Sequence, residues 1–370
     1  MAKQELNNKT LPIRPSEAVE VVEHMMHVGR PCMIWGPPGI GKSDIIAQIG
    51  KKSDRPVIDL RLLLMEPTDL KGIPFYDPKT ETMRWGKPNE LPAVGDVTLE
   101  NAILFLDEIN AAPQSVQAAA YQLILNRKVG EYVLPKGVSI VAAGNRETDR
   151  AVTFRMPSAL ANRFVHFEMV VSFEDWQDWA IRNGVHEDVV GFLSAHPNYL
   201  FQFEPKSADK AFATPRSWTF VGQSLTDKLS DRLNEVIVAG TVGLGLATEF
   251  MQSRRLKGKL PKPRDIVLGK VTNLAEDKSI DVSAKYSLVI GMCYAMSEIK
   301  AEYDADKSKG SKDWDAVTDN FLKFMMIPEH FHKEMVIMAA VTAFRRYDLD
   351  FNSETITFNK FFKEYQEWIV

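Results

Sequence analysis

Short apolar segments and helical patterns alternate along the first half of the chain. Apolar residues recur at helical spacing over residues 16–28 and 114–127, and the helical pattern over residues 42–51 would bury Ile45, Ile46 and Ile49. Strand-like segments lie between these helices, at residues 31–35, 57–62, 102–106, 138–143 and 165–169. This alternation predicts an α/β fold with a mostly parallel sheet, helices on both faces and functional loops at the strand ends.

Helical patterns dominate after about residue 172, at residues 173–183, 231–251, 284–300 and 333–346. A chain of 370 residues exceeds the size at which one hydrophobic core stops growing, so we expect an α/β domain over residues 1–171 and a helical region over 172–370. Residues 261–264 and 304–312 are expected to form loops. An aromatic stripe near the C-terminus is expected to pack inside the helical region rather than to dock a partner; it contains Phe358, Phe361, Phe362, Tyr365, Trp368 and Ile369.

The charge balance argues against a nucleic-acid-binding protein. The net charge is -4 and the pI is about 6.0, so the chain has no overall positive field. One cluster of cations is expected to be a solvated loop rather than a phosphate-binding patch; it contains Arg254, Arg255, Lys257, Lys259, Lys262 and Arg264.

The two cysteines, Cys32 and Cys293, do not suggest a disulfide framework, and Cys32 lies in an apolar segment where we expect a buried, reduced thiol. The first thirty residues lack the pattern of a signal peptide, and the apolar stretches, such as residues 236–248, are too short for a membrane span. We therefore expect a cytoplasmic protein.

A glycine-rich segment lies between the strand at residues 31–35 and the helix at 42–51. It matches G-x-x-x-x-G-K-S and consists of Gly36, Pro37, Pro38, Gly39, Ile40, Gly41, Lys42 and Ser43. Glycines let backbone N–H groups surround phosphates, and the helix N-terminus adds positive potential. Lys42 would reach the β- and γ-phosphates, and Ser43 would bind Mg²⁺. The pattern predicts a P-loop NTPase core.

Two adjacent acids, Asp107 and Glu108, follow the apolar strand at residues 102–106. Asp107 is predicted to help hold Mg²⁺, and Glu108 to polarise the water that attacks the γ-phosphate. Acids also follow strands simply as helix caps. Their position downstream of a phosphate loop favours the catalytic interpretation.

With these two motifs, residues 12–220 resemble the AAA+ ATPases, and within them the MoxR group, also described as dynein-related. The resemblance implies an ATP hydrolase that uses ATP and Mg²⁺, with an α/β core followed by a helical lid. It also implies that Asn145, at the end of the strand at residues 138–143, is the sensor 1 residue that orients the attacking water. An Asn in an ordinary strand-end turn is the alternative.

The resemblance implies further catalytic residues in the segment from Ser158 to Phe164 and beyond it. Arg163 corresponds to an arginine finger that reaches the nucleotide of a neighbouring subunit, which implies a homo-oligomeric, hexameric ring. The alternatives for that role, or for intrachain salt bridges, are Arg146, Arg150 and Arg155. Arg216 corresponds to the sensor 2 residue of the lid, and a plain helix-capping Thr-Pro step is its alternative.

Two hairpins are also expected, one turning at residues 77–81 and another at 129–138. In the MoxR group the first hairpin faces the pore or the substrate. Phe75, Tyr76 and Trp85 would either grip a polypeptide there or form a small satellite core.

Three functions follow from these residues. The favoured hypothesis is an ATPase that remodels or matures a protein substrate or adaptor, by resemblance a von Willebrand factor A-type partner or a metal-dependent enzyme. The alternatives are a nucleic-acid-associated or restriction-type NTPase motor, and a nucleotide-gated scaffold with little hydrolysis. The net charge disfavours the motor. Thr148 replaces the Asp of the N-x-x-D guanine-recognition pattern that a GTPase would carry after Asn145.

Overall fold

The computed structural model describes residues 11–93, 95–149, 154, 156–207, 209–257, 260–274, 281–305, 311–328 and 330–369. The chain divides into two units. The first contains Met1–Ser172 and Glu204–Ser207, and the second contains Phe173–Phe203 and Ala208–Val370.

The first unit has the predicted alternation of strands and helices. Its strands are β1 (Pro12–Ile13), β2 (Cys32–Trp35), β3 (Val57–Arg61), β4 (Ile73–Asp77), β5 (Thr82–Gly86), β6 (Ile103–Asp107), β7 (Lys128–Val129), β8 (Tyr132–Val133), β9 (Ser139–Gly144) and β10 (Val165–Met169). Its helices are α1 (Pro15–His27), α2 (Lys42–Lys52), α3 (Pro67–Lys71), α4 (Gln114–Asn126) and α5 (Ser158–Ala161).

Six strands form one sheet in the order β1-β10-β2-β9-β6-β3, and each neighbouring pair is parallel. Consecutive residues of a strand point to opposite faces, and both Leu104 and Phe105 of β6 are buried, so both faces of the sheet are covered. On one face Leu104 packs in a core cluster with Val116 and Leu123 of α4. The predicted α/β fold is confirmed, and parallel pairing brings the carboxyl ends of β2, β9 and β6 to one edge.

Both predicted hairpins are present. β4 and β5 are antiparallel, with Tyr76 opposite Met83, and their turn lies at the predicted residues. Phe75 is 49% exposed and Tyr76 is 58% exposed, so they do not form the satellite core that the sequence left open. Trp85 is half-buried beside Gly130 of the second hairpin, β7–β8, whose strands contain only two residues each.

The second unit is helical, as predicted. Its helices are α6 (Phe173–Arg182), α7 (Glu187–Ala195), α8 (Pro215–Ser224), α9 (Asp231–Val242), α10 (Leu244–Lys257), α11 (Pro263–Val267), α12 (Val282–Ala305), α13 (Ser311–Met325), α14 (Lys333–Val341) and α15 (Ile356–Ile369), and a π turn (Thr342–Arg346) continues α14.

Three predicted segments in this unit have the wrong bounds. The single helix predicted over residues 231–251 is two helices, because Gly243 adopts a left-handed φ of 97° and ends α9. The loop predicted over residues 261–264 includes the start of α11, which Pro263 begins. Of the loop predicted over residues 304–312, the first two residues belong to α12 and the last two to α13, and residues 306–310 lie outside the described residues.

The C-terminal aromatic stripe packs inside the helical unit, as predicted. α15 contacts α13 and α14, and its Phe361 and Tyr365 are buried. Trp368 is 47% exposed, with the ammonium of Lys333 3.2 Å from its ring centroid.

The basic cluster is not the solvated loop that the sequence predicted. Arg254 and Lys257 lie on α10 and pair with Asp188 at 3.0 Å and 2.6 Å. Arg264 lies on α11 and pairs with Glu302 at 2.8 Å, whereas Lys259 lies outside the described residues. Arg254, Lys257 and Arg264 are therefore partners of acids in the same unit, and α10 carries the first two of them to Asp188 of α7.

Among the residues that the structure describes, none of the helices has both the length and the apolar character that a bilayer span requires.

Candidate active site

The glycine-rich segment forms a tight loop between β2 and α2. A Cβ atom on Gly36 would lie 2.7 Å from the Cδ1 atom of Ile40 and 2.9 Å from the carbonyl oxygen of Met169, so only glycine fits there. Gly39 and Gly41 have φ values of 75° and 94°, which L-residues rarely adopt. Since α2 begins at Lys42, its free N–H groups and positive dipole end face this loop, which suits a bound phosphate.

Lys42 is directed into the loop and joins it to the neighbouring strand. Its side chain is buried, and its ammonium donates hydrogen bonds to the carbonyl oxygens of Gly36 and Pro37 at 2.7 Å and 2.9 Å. It also donates to the Oδ1 atom of Asn145 at 3.1 Å. The predicted phosphate-binding lysine and the predicted sensor 1 residue therefore meet.

Ser43 and Asp107 meet in the same way. The hydroxyl of Ser43, on α2, donates to the Oδ2 atom of Asp107, the last residue of β6, at 2.9 Å. Hydroxyl and carboxylate oxygens are ligands that Mg²⁺ accepts at nucleotide sites. The two groups therefore fit the predicted metal site.

Glu108 follows Asp107 with a left-handed backbone, φ 55°. Its N–H donates to the Oδ1 atom of Asp107 at 2.9 Å, so that both oxygens of this carboxylate accept a hydrogen bond. The tight bend leaves both acids partly exposed at the edge where the strands end. A residue other than glycine with positive φ is uncommon and concentrates at functional sites.

A further acid, Asp59, lies near Asp107 in the sheet. Asp59, on β3, is two residues before Arg61, which lies opposite Asp107. Partial burial raises the pKa of Asp59, and the charge of Asp107 raises it further, while Arg61 opposes the shift. The negative charge of Asp107 has the sign that a bound divalent cation would neutralise.

Asn110 is a functional candidate that the sequence reasoning missed. It is 2% exposed, and its side-chain amide donates to the backbone carbonyl of Asn145 at 2.7 Å. A Cβ atom on Gly144 would lie only 2.4 Å from the Oδ1 atom of Asn110, so Gly144 makes room for it. The available signal was a polar residue inside the otherwise apolar segment that follows Glu108.

Arg163 lies on an exposed turn after α5. The carbonyl oxygen of Ala161 accepts a hydrogen bond from the N–H of Phe164 at 3.1 Å and closes this turn. The guanidinium of Arg163 bonds to none of the described residues, so it is free to reach another molecule.

The other arginines differ from Arg163. Arg146 forms the intrachain salt bridges that the sequence left open, with Asp149 at 2.9 Å and Glu168 at 3.1 Å. Arg150 and Arg155 lie outside the described residues.

Arg216 belongs to the second unit. It is exposed in the first turn of α8, where the hydroxyl of Thr214 accepts a hydrogen bond from the N–H of Ser217 at 3.0 Å. Thr214 is therefore a helix cap, which was the alternative interpretation, and the role of Arg216 as sensor 2 stays a prediction.

With this geometry established, comparison with known protein families matches residues 31–164 to the AAA domain of the dynein-related subfamily. This segment is therefore similar to the AAA domains of that subfamily. It contains the glycine-rich loop, both acids, Asn145 and Arg163.

Three proteins illustrate the similarity. Midasin of Giardia intestinalis is 28% identical over 162 residues, which are 42% of this chain and 3% of midasin. A solved structure assigned as an ATPase of Cytophaga hutchinsonii covers 97% of this chain and 91% of its own, at 13% identity and a TM-score of 0.36. The RuvB Holliday junction branch migration motor of Thermotoga maritima covers 66% of this chain and 74% of its own, at 15% identity and a TM-score of 0.35. The chain thus spans a small fraction of the midasin that it matches.

Proposed function

We propose that this chain is a MoxR-like AAA ATPase that assembles into a hexameric ring and couples ATP hydrolysis to the remodelling of a protein partner. The observation that carries the proposal is the meeting of Lys42 with Asn145 and of Ser43 with Asp107 at one edge of the sheet. These contacts support the proposal, because phosphoryl transfer needs groups that bind phosphate, metal and water close to one another.

Each residue has a role in the proposed reaction. Backbone N–H groups of the loop and Lys42 bind the phosphates of ATP, and Ser43 and Asp107 would hold Mg²⁺, which neutralises phosphate charge when bound. Glu108 accepts a proton from the water whose oxygen attacks the γ-phosphorus, while the bond from that phosphorus to the bridging oxygen of ADP breaks. Asn145 orients this water.

Arg163 and Arg216 complete the proposed site. The exposed guanidinium of Arg163 would stabilise transition-state charge in the neighbouring subunit, and Arg216 would contact phosphate from the second unit. The exposed hairpin β4–β5, with Phe75, Tyr76 and Met83 at its surface, offers an apolar contact for a protein partner, for which we propose a von Willebrand factor A-type domain.

The first test is steady-state hydrolysis of ATP and GTP as the protein concentration rises. We expect turnover per subunit to increase with concentration, because the shared site forms only on assembly. Lys42→Ala, Glu108→Gln and Arg163→Ala should each lower ATP turnover by about 10²-fold or more. The exposed residues Lys51, Glu100 and Arg30 supply matched controls, Lys51→Ala, Glu100→Gln and Arg30→Ala, which should keep wild-type turnover.

Mixing two inactive variants tests the shared site directly. Glu108→Gln keeps Arg163, and Arg163→Ala keeps Glu108, so a ring of both contains some complete interfaces. Random mixing of equal amounts should restore about a quarter of wild-type turnover. Turnover that does not depend on concentration or on Arg163 would overturn the shared site. Tight ATP binding without hydrolysis at any concentration would favour the nucleotide-gated scaffold.

A further inference from the structure

A histidine of β10 connects the phosphate loop to the turn that carries Arg163. The indole Nε1–H of Trp35 donates to the Nδ1 atom of His166 at 2.9 Å. The Nε2 atom of His166 lies 2.8 Å from the carbonyl oxygen of Ala161. Because Nδ1 accepts a hydrogen bond, a neutral ring carries its proton on Nε2 and donates it to Ala161. Both ring nitrogens are thus satisfied, and the tautomer is fixed.

The two partners of His166 lie at functionally different places. Trp35 ends β2 and directly precedes Gly36, whose carbonyl oxygen binds Lys42. The carbonyl oxygen of Ala161 opens the turn of residues 161–164, in which Arg163 is a central residue. One imidazole therefore bridges the strand that enters the phosphate loop and the turn that presents the proposed arginine finger.

Ring packing restricts the imidazole further. Trp35 and His166 lie nearly parallel, with an interplanar angle of 16° and ring centroids 6.0 Å apart. Phe164, the last residue of the turn, contacts the imidazole edge-on, with centroids 6.3 Å apart. The side chain next to Arg163 is therefore packed against the same histidine that bonds to Ala161, so the turn is restrained at both of its ends.

We propose that His166 is a positioning residue for the trans arginine: through Ala161 and Phe164 it holds the turn of Arg163 at a fixed place relative to the phosphate loop. The proposal rests on the proposed function of Arg163. Since Arg163 would serve the neighbouring subunit, the effect of His166 appears in the neighbour's hydrolysis rather than in that of its own subunit.

The variants His166→Phe and His166→Gln separate hydrogen bonding from packing. Phe keeps a ring of similar shape without either hydrogen bond, and Gln offers an oxygen to Trp35 and an N–H to Ala161. We expect His166→Phe to lower kcat about tenfold, since misplacing a catalytic group costs rate, with the KM for ATP nearly unchanged. His166→Gln should restore most of the loss. The matched control is His24→Phe, at an exposed position of α1.

The decisive measurement mixes His166→Phe with Glu108→Gln. In this mixture the Glu108→Gln subunit supplies a well-placed Arg163 to the intact site of the His166→Phe subunit. We expect the same recovery that Arg163→Ala gives with Glu108→Gln, and no recovery when His166→Phe is mixed with Arg163→Ala. If the site of the His166→Phe subunit also stays slow in the mixture with Glu108→Gln, His166 acts on its own phosphate loop. That result would overturn the proposal.

An NMR measurement tests the hydrogen-bonded bridge without relying on hydrolysis in the ring. The indole N–H signal of Trp35, assigned with Trp35→Phe, should shift in His166→Phe and stay near its wild-type position in His166→Gln. An unchanged signal in His166→Phe would contradict the bridge.

The activities of two variants distinguish failure of the proposed function from failure of the positioning role. If Arg163→Ala itself keeps full activity, the proposed function fails, whatever His166→Phe does. If Arg163→Ala is inactive and His166→Phe, folded by circular dichroism, is fully active, only the positioning role fails.

Discussion

The buried side chain of Asn110 donates a hydrogen bond to the backbone of Asn145, so we expect Asn110 to position that residue. Asn110→Ala leaves the partly buried carbonyl of Asn145 without this donor, which costs about 1–3 kcal/mol of stability. We expect the released Asn145 to lower kcat for ATP by about tenfold, or ~1.4 kcal/mol of transition-state stabilisation. ATP turnover together with urea unfolding checks both effects.

Asn110→Asp is the contrasting variant. It has nearly the same shape, but an ionised carboxylate would face the carbonyl oxygen of Asn145 in place of a donor. The loss should therefore exceed that of Asn110→Ala. Equal turnover in the wild type and in Asn110→Asp would show that this hydrogen bond does not position Asn145.

The two cysteines are expected to be inert thiols. Both are buried and unpaired, and burial raises the pKa of Cys32 and of Cys293 to about 12. Because the thiolate is the reactive form, a disulfide reagent such as DTNB at pH 8 should label neither residue faster than the chain unfolds. Both should react at once in concentrated guanidinium chloride. Rapid labelling of the native protein would contradict this burial.

The site residues that the sequence predicts are those in motifs of neighbouring positions along the chain. The phosphate loop occupies consecutive positions, and Asp107 and Glu108 follow a recognisable apolar strand. His166 carries no such signal, since its partner Trp35 lies 131 residues away and only strand pairing brings them together. A single sequence does not show which distant residues become neighbours in a sheet.

At the scale of elements, Gly243 decides where two helices meet. Its left-handed φ of 97° is costly for any residue with a Cβ atom, so Gly243→Ala should destabilise the protein by about 1–2 kcal/mol. Gly240→Ala is the matched control three residues earlier, in α9, where an added methyl would meet nothing within 4 Å. It should stabilise by about 0.5–1 kcal/mol. Urea unfolding of both variants checks the sign of each effect, and equal signs would contradict this account.

The charge cluster between α7 and α10 makes a pH-dependent contribution. Burial alone would raise the pKa of Asp188, but the charges of Lys257, His186 and Arg254 outweigh it and lower the pKa. Asp188→Asn removes the buried partner that Lys257 and Arg254 share, while Glu187 and Asp227 still pair with them, so we expect a loss of about 1.5–3 kcal/mol at neutral pH. The control is Asp227→Asn, which also pairs with Arg254 but is 95% exposed in its side chain; it should cost about 1 kcal/mol or less.

The sign of the pH effect follows from the lowered pKa. An acid whose pKa is lower in the folded state stabilises the fold above its unfolded pKa, about 3.9 for Asp, and loses this contribution as the pH falls through the folded value. The difference between the wild type and Asp188→Asn should therefore be constant near neutral pH and shrink below about pH 4. Guanidinium unfolding at several pH values measures it, and a difference that grows on acidification would contradict the assigned pairing.

Helix existence was predictable from apolar spacing, whereas the break at Gly243 was not. Gly240, Gly243 and Gly245 all lie within one helical pattern, and each is a candidate for an interruption. Tertiary packing selects one of them, and periodicity carries no information on that choice.

For the molecule as a whole, the ion pairs of the basic cluster strengthen the prediction that the chain does not bind nucleic acid. The net charge is -4, and Arg254, Lys257 and Arg264 are already neutralised by acids. We expect no saturable binding of labelled single-stranded or duplex DNA at about 10 µM protein and physiological salt. Fluorescence anisotropy checks this. Submicromolar binding with a steep salt dependence would instead support the nucleic-acid motor.

The strand order β1-β10-β2-β9-β6-β3 has a consequence for synthesis on the ribosome. β10 is the last strand of the sheet to be made, yet it lies between β1 and β2, and β9 on the other side of β2 is also made late. At about 5–20 residues per second, roughly 8–30 s pass between the synthesis of β1 and of β10. A nascent chain that stalls before residue 139 therefore exposes β2 with both edges unpaired, which makes it a target for chaperones that hold nascent chains.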